Sequence, residues 1–126
     1  MHILFACGRE AAYPRNASII RALHQLGAVS VISSNHSHLS YKLMRTAWGI
    51  LRAQTRDVDV CFIGFLGQPL VFPARLRWSG PLVLDAFVSV YDTLCFDRQI
   101  IKPNSLWGRF AFHLDRLSCQ LADVVV

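Results

Sequence analysis

The sequence alternates between short apolar runs and longer segments with helical periodicity. The apolar runs are Ile3 to Cys7, Val29 to Ile32, Asp57 to Gly64, Leu82 to Leu84 and Ala122 to Val126. Short, nearly continuous apolar runs are typical of strands that are buried on both faces. Because helical segments separate these runs, the alternation predicts a three-layer α/β fold, with helices on both faces of a mostly parallel sheet of about five strands.

The helical segments carry start and stop signals. Pro14 suits the first position of a helix that ends near Gly27. A helix is also predicted from Gly67 to Leu76, where Pro73 indicates either a kink or a later start. Ser105 is a candidate N-cap of the last helix, on which apolar residues at spacings of three and four predict a packed face. Those residues are Trp107, Phe110, Leu114, Leu117 and Leu121.

The amphipathic segment from His38 to Arg56 allows two interpretations. Apolar residues such as Met44 and Trp48 fall on one side of the predicted helix, and basic residues such as Arg45 and Arg52 fall on the other. One interpretation is an ordinary surface helix whose solvent-exposed face is basic. The other is a face that lies on anionic lipid headgroups, with aromatic side chains near the boundary.

Composition indicates one globular domain. The 126 residues are 53% hydrophobic and 17% charged, which argues against a disordered chain. The net charge of +5 suits phosphates, anionic lipid or nucleic acid. No run of basic residues is present, so no nucleic-acid partner is expected. The longest apolar stretch, residues 60–74, is broken by glycine and proline and is too short to span a bilayer.

Several common sites are missing from the sequence. The four cysteines lie far apart with no CxxC pair, so a metal site is not predicted, and they are expected to be buried thiols in a reducing cytoplasm. The loop that begins at Gly8 lacks GxGxxG, and neither a P-loop nor a GxSxG elbow occurs. These absences remove the commonest enzyme interpretations of a parallel sheet.

The loop after the fourth predicted strand is the candidate site. The strand ends at Asp85, and Ser89, Tyr91 and Asp92 follow. In open parallel sheets, ligands bind outside the carboxyl ends of the strands. Asp85 is therefore a candidate to orient or deprotonate a hydroxyl, with capping of the loop as the alternative. The adjacent pair Asp97–Arg98 is interpreted as stabilising the loop.

Several segments spread over all 126 residues resemble a known enzyme family. The segments are Tyr13 to Asn16, Leu23 to Gly27, Asp59 to Gly64, Pro81 to Asp85, Ser89 to Thr93, Asp97 to Arg98, Leu114 to Arg116 and Ala122 to Val126. In order and spacing they resemble the N-terminal domain of family 4-like glycosyltransferases, whose two Rossmann-like halves form the GT-B architecture. The resemblance implies that residues 1–126 form a single Rossmann-like domain that binds the sugar acceptor.

The resemblance also implies partners that this sequence does not contain. In such enzymes the C-terminal half holds most of the nucleotide-sugar site, so no cofactor is expected within these residues. The sequence ends on three valines without a polar exit, and we expect the N-terminal portion of a longer protein, inactive alone. The expected partners are that missing domain, a nucleotide-sugar donor for the full-length protein and a sugar or lipid-linked acceptor, at the inner face of the membrane.

Sugar transfer assigns candidate roles to the polar residues. Gly8, Arg9 and Arg15 are candidates to bind a phosphate, because backbone N–H groups and arginines meet at the start of the first helix. A solvated first-turn residue is the alternative for Arg15. Tyr91 and Asp92, with Ser89, are candidates to bind sugar hydroxyls, and Asp85 is the catalytic candidate. A different class also stays open, namely a non-catalytic α/β binding or membrane-surface module that uses the basic helix.

Overall fold

A computed structural model describes all residues, 1–126, and confirms the α/β fold. Its strands are β1 (His2–Ala6), β2 (Ala28–Ile32), β3 (Val60–Ile63), β4 (Leu82–Leu84) and β5 (Val124–Val125). They form one sheet in the order β2-β1-β3-β4-β5, and every neighbouring pair is parallel. The sheet is therefore entirely, rather than mostly, parallel.

The helices follow the predicted alternation with two differences, which concern the loop after β4 and the end of the second helix. They are α1 (Pro14–His24), α2 (Leu39–Arg52), α3 (Val71–Arg77), α4 (Val90–Asp92) and α5 (Leu106–Leu121). A 3-10 turn at Gln68–Leu70 precedes α3, so the later start, one of the two predicted alternatives, is confirmed. Pro73 lies in the first turn of α3, where a missing N–H costs little. The segment predicted as a loop forms α4 and a π-type turn at Thr93–Asp97. Arg56 lies beyond the end of α2.

The crossovers distribute the helices unequally over the two faces of the sheet. From β1 the chain steps one way to β2 and then steps the other way to β3, β4 and β5. Because parallel crossovers are right-handed, α1 lies on one face and α2, α3 and α5 lie on the other. None of these helices has the length and apolar character needed to cross a bilayer.

The main core lies between the sheet and the three helices on one of its faces, α2, α3 and α5. Its fully buried members are Leu4, Ala6, Cys61, Ile63, Leu82 and Leu84 from the sheet, and Ile50, Val58, Leu70, Val71 and Ala74 from α2, α3 and the adjoining turns. Each large aliphatic side chain buried in this way contributes about 1.5–3 kcal/mol. The carboxyl ends of the strands are thereby held on a rigid base.

Helix α5 packs through its small residues, so the predicted packed face is wrong. Gly108, Ala111 and Ser118 are buried, whereas Trp107 is 67% and Phe110 is 61% exposed. Small side chains allow α5 to approach its neighbours closely. The predicted cap is confirmed, since the Ser105 hydroxyl accepts a hydrogen bond from the Gly108 N–H at 3.1 Å.

Arg75 of α3 ties the end of α5 to the sheet. Its guanidinium donates to the Leu121 carbonyl at 2.8 Å, the Gly80 carbonyl at 2.8 Å and the Asp123 carboxylate at 2.6 Å. Asp123 also accepts from the Leu82 N–H at 2.8 Å. The hydrogen bond from Arg75 lowers the pKa of Asp123 below its usual value. This cluster fixes the start of β5 beside β4.

Candidate functional site

The loops after β1 and β3 contact each other where the strand order reverses. The Gly8 N–H donates to the Phe65 carbonyl at 3.1 Å. A Cβ atom at Gly8 would overlap the Leu66 carbonyl oxygen, so only glycine fits without movement. Leu66 itself has a left-handed backbone with φ of 57°. Gly8 thus serves the contact between the loops, and its predicted role in substrate binding stays a prediction.

Asn16 of α1 joins the same two loops and is fully buried. Its Nδ2 donates to the Glu10 carbonyl at 3.1 Å, and its Oδ1 accepts from the Phe65 N–H at 3.1 Å. A buried amide satisfied on both sides fixes the relative position of the loops. The sequence placed Asn16 only within a family-like segment, and its bridging role had no local signal.

Aromatic rings and two arginines cover the carboxyl edge of the sheet. The rings of Tyr13 and Phe65 stack with centroids 5.0 Å apart, and Phe87 lies 6.5 Å from Phe65. The guanidinium of Arg9 lies over the Tyr13 ring at 4.7 Å, and that of Arg15 lies over Phe87 at 4.0 Å. These cation–π contacts orient both arginines along the edge of the sheet.

Arg15 and Asp85, both predicted site residues, form a bidentate ion pair. The distances are 2.7 Å from Arg15 Nε to Asp85 Oδ2 and 2.8 Å from Nη2 to Oδ1. The Asp85 side chain has no exposed surface, while that of Arg15 is 34% exposed. The hydrogen bond to Asp85 raises the pKa of Arg15. A hydroxyl could reach the carboxylate only after Arg15 moved, and the catalytic role of Asp85 stays a prediction.

Ser89, Tyr91 and Asp92 lie away from that ion pair, beside Asp115 of α5. The Asp115 carboxylate accepts from the Ser89 hydroxyl at 2.7 Å, the Tyr91 N–H at 2.8 Å and the Val90 N–H at 3.1 Å. The Ser89 hydroxyl also accepts from the Asp92 N–H at 3.0 Å and caps α4. Asp115 therefore holds the turn that carries the three predicted sugar-binding residues.

A shallow depression of about 400 Å³ lies next to this turn. Its lining residues are Ser89, Tyr91, Asp92, Phe112, Asp115, Arg116 and Cys119. Asp115 already accepts three hydrogen bonds from the turn, and the Tyr91 ring contacts Phe96 and Phe112 edge-on. The depression therefore gathers Ser89, Tyr91 and Asp92, and it does not include Asp85, Arg9 or Arg15.

A second, more enclosed cavity of about 440 Å³ lies between the loop after β1, α2 and the turns that follow β4. Three cationic side chains line this basic cavity: Arg9, Lys42 and Arg98. Its apolar lining includes Leu39, Leu43, Leu66, Leu94 and Ile100. The predicted Asp97–Arg98 pair is wrong, because Arg98 takes part in none of the ion pairs of the structure.

Glu10 lies beside two of these cations. Its carboxylate is 2.8 Å from Lys42 Nζ and 3.5 Å from Arg9 Nη2. The hydrogen bond from Lys42 is the main reason that the pKa of Glu10 falls to about 2. Lys42, which the sequence placed on the solvent-exposed basic face of α2, is only 12% exposed and turns toward this cluster.

The outward face of α2 differs from the predicted purely basic one. Met44 is 71% exposed and Trp48 is 59% exposed. Arg45 lies over the Tyr41 ring at 5.8 Å, and Arg52 lies over the Trp48 ring at 5.2 Å. This face therefore mixes exposed apolar groups with arginines.

The cysteine thiols are free, and three of the four are buried, as predicted for those three. Burial raises the pKa of Cys7 and of Cys61 to about 12, so both thiols are unreactive near neutral pH. No group of three or more histidine, cysteine or acidic side chains is arranged to hold a metal ion.

Comparisons with models of protein families, with curated proteins and with solved structures find no match for this chain.

Proposed function

We propose that this chain is the acceptor-binding half of a GT-B glycosyltransferase that uses a nucleotide-sugar donor. The observation that carries the proposal is the basic cavity at the carboxyl end of an all-parallel sheet of order β2-β1-β3-β4-β5. Ligands of open α/β sheets bind outside this end, near the point where the strand order reverses. The family-like segments of the sequence support the same function.

Sugar transfer requires a positioned acceptor hydroxyl and stabilisation of the departing diphosphate. In the proposed enzyme this chain supplies the first requirement: Arg9, Lys42 and Arg98 hold the acceptor in the basic cavity. The donor and its diphosphate belong to a second domain that faces this one. Arg15 then holds the Asp85 carboxylate in place at the carboxyl edge of the sheet, and a shift of Arg15 on substrate binding would free a carboxylate oxygen for the acceptor hydroxyl.

The reading frame beyond Val126 gives the most direct test. We expect it to encode roughly 200 further residues, enough for a second Rossmann-like domain. The full-length protein, incubated with labelled nucleotide sugars and extracted acceptors, should then release nucleotide and label the acceptor. Arg98→Gln should weaken acceptor use, and Arg109→Gln, an exposed change outside both cavities, should not. A stop codon directly after Val126 in the natural gene would refute transferase activity for this polypeptide.

We further propose that the outward face of α2 rests on the anionic inner surface of a membrane. Met44, Trp48 and Leu51 are exposed side by side at helical spacing, next to Arg45 and Arg52. No acidic residue occurs in α2. Apolar groups that enter the headgroup region, flanked by arginines that meet lipid phosphates, are the features of an interfacial helix.

Vesicle co-sedimentation tests this second proposal. The double variant M44S/W48S should bind vesicles with about 30% anionic lipid roughly tenfold more weakly, since it removes two apolar side chains that would enter the headgroup region. Arg45→Glu with Arg52→Glu should abolish the preference for anionic over neutral vesicles. Arg21→Glu, an exposed change on α1 across the sheet, is the matched control. Binding that survives reversal of both α2 charges would contradict the proposal.

A further inference from the structure

The basic cavity carries more charge than its own residues neutralise. Arg9, Lys42 and Arg98 contribute three positive charges, and Glu10 beside them contributes one negative charge. Arg98 has no carboxylate partner. The cavity therefore suits a ligand group with about two negative charges, which is the charge of a phosphate monoester near pH 7.

The rest of the lining indicates what the phosphate is attached to. Leucine and isoleucine side chains form most of it, and no aromatic ring lines the cavity. The uncharged hydroxyl groups are those of Ser37 and Thr93. A nucleobase would call for a stacking ring, and a free sugar would call for many hydrogen-bonding partners. An aliphatic chain fits these walls better than either.

The size of the cavity supports the same assignment. Its volume of about 440 Å³ lies within the range of small-molecule sites, about 300–1,000 Å³. A phosphate group alone would leave the aliphatic part of the lining in contact with water. Leu39 and Ile100 are already 45% and 66% exposed at the cavity. Covering such side chains with a hydrocarbon chain is favourable, because it removes apolar surface from water.

We infer that the basic cavity binds a long-chain alkyl or isoprenoid phosphate, with the phosphate against the three cations and the chain along the leucines. The inference rests on the proposed acceptor-binding role and specifies that the group bearing the acceptor hydroxyl is attached to a lipid phosphate. Helix α2 contributes Leu39, Lys42 and Leu43 to the cavity and Trp48 to the opposite surface. A membrane against the outer face of α2 would therefore be separated from the cavity by the width of one helix, about 10 Å.

Calorimetric titration of this chain with decyl phosphate, below the concentration at which it forms micelles, tests the inference. We expect decyl phosphate to bind at least roughly tenfold more tightly than inorganic phosphate and than decanol, because only decyl phosphate satisfies both parts of the lining. Equal affinity for inorganic phosphate would overturn the lipid assignment. Equal affinity for decanol would overturn the phosphate assignment, and tighter binding of a nucleoside monophosphate would overturn both.

Exposed substitutions separate the two parts of the site without disturbing the core. Arg98→Gln should weaken decyl phosphate and inorganic phosphate alike, by roughly tenfold, whereas Arg109→Gln should change neither affinity. Ile100→Ser should weaken only decyl phosphate, and Leu106→Ser, on an 80% exposed residue outside the cavity, is its control. An unchanged affinity in both Arg98→Gln and Ile100→Ser would place the ligand elsewhere.

The outcomes distinguish this inference from the proposed function. If decyl phosphate binds but the full-length protein transfers no sugar, the transferase proposal fails and the lipid-phosphate site stands. If sugar is transferred to an acceptor without phosphate and decyl phosphate does not bind, the transferase proposal stands and this inference fails. M44S/W48S should leave the titration unchanged, because a micelle-free ligand does not require membrane contact.

Discussion

Arg15 and Asp85 are 70 residues apart in the sequence, yet both carboxylate oxygens of Asp85 accept hydrogen bonds from the Arg15 guanidinium, at 2.7 and 2.8 Å. The pair connects the first turn of α1 to the end of β4. It joins two residues that the sequence assigned to separate tasks, phosphate binding and catalysis.

Arg15→Ala should destabilise the fold strongly. The substitution leaves the Asp85 carboxylate buried without its cation. We expect a loss of about 3 kcal/mol in unfolding free energy, which is the lower end of the range for a broken buried ion pair. The lower end applies because the Arg15 side chain is about one-third exposed. Urea unfolding measures this loss. Arg21→Ala, on an exposed residue of the same helix, should stay within about 0.5 kcal/mol of wild type. A similarly small effect for Arg15→Ala would show that the pair does not hold the two elements together.

Asp115→Ala should loosen the turn that carries Ser89 and Tyr91. Three donors lose their acceptor, and a loss of about 2 kcal/mol is expected because the turn regains some hydration. Hydrogen exchange at the Val90 and Tyr91 amides should accelerate selectively. Asp92→Asn, on an exposed neighbour, is the control, and unchanged exchange in Asp115→Ala would contradict the role of the carboxylate.

Gly8→Ala should be costly because the added methyl group overlaps backbone, namely the Leu66 carbonyl. We expect a loss of about 2–3 kcal/mol from forced movement of the loop. Gly49→Ala provides the contrast: its nearest neighbour is a side-chain methyl group of Ile32, and alanine is favoured in a helix. Thermal melts that show equal effects for the two variants would exclude a special role for Gly8.

Glu10 should contribute a pH-dependent term to stability. Its pKa is about 2 in the folded protein against 4.5 for the free group, so its contribution is complete above pH 4.5 and is lost as the pH falls toward 2. Because the group is near solvent, about 0.5 kcal/mol is expected. The difference in unfolding free energy between wild type and Glu10→Gln should therefore shrink over that window. Asp57→Asn, which changes an exposed aspartate that forms no ion pair, is the control.

The sheet could be predicted because strands buried on both faces leave continuous apolar runs. The run at Leu82–Leu84 coincides with β4, and the Ser105 cap and the late start of α3, which Pro73 indicated, were readable from local chemistry. These features depend on neighbours in the chain. Helix α5 shows the limit of predictions from hydrophobic periodicity. Trp107 and Phe110 have the spacing of a packed face, but Gly108 and Ala111 allow closer approach and form the packed face instead.

The site could be predicted only in part because its contacts join distant segments. Lys42 reaches Glu10 across 32 residues, and Asp115 reaches Ser89 across 26. Whether a carboxylate is free or paired depends on which strands become neighbours, and no local pattern encodes this. The sequence therefore identified polar residues near the carboxyl edge without showing that they divide between an ion pair, a held turn and a cavity.

Helix α2 turns Lys42 toward the basic cavity and Met44 and Trp48 toward the outside. One helix thus presents two different sets of side chains on opposite sides. Under the two proposals, substitutions at the outer positions would change membrane binding without changing ligand affinity, and substitutions at the inner positions would do the reverse. Selection could then act on each of these two proposed properties separately, which a loop that served both would not allow.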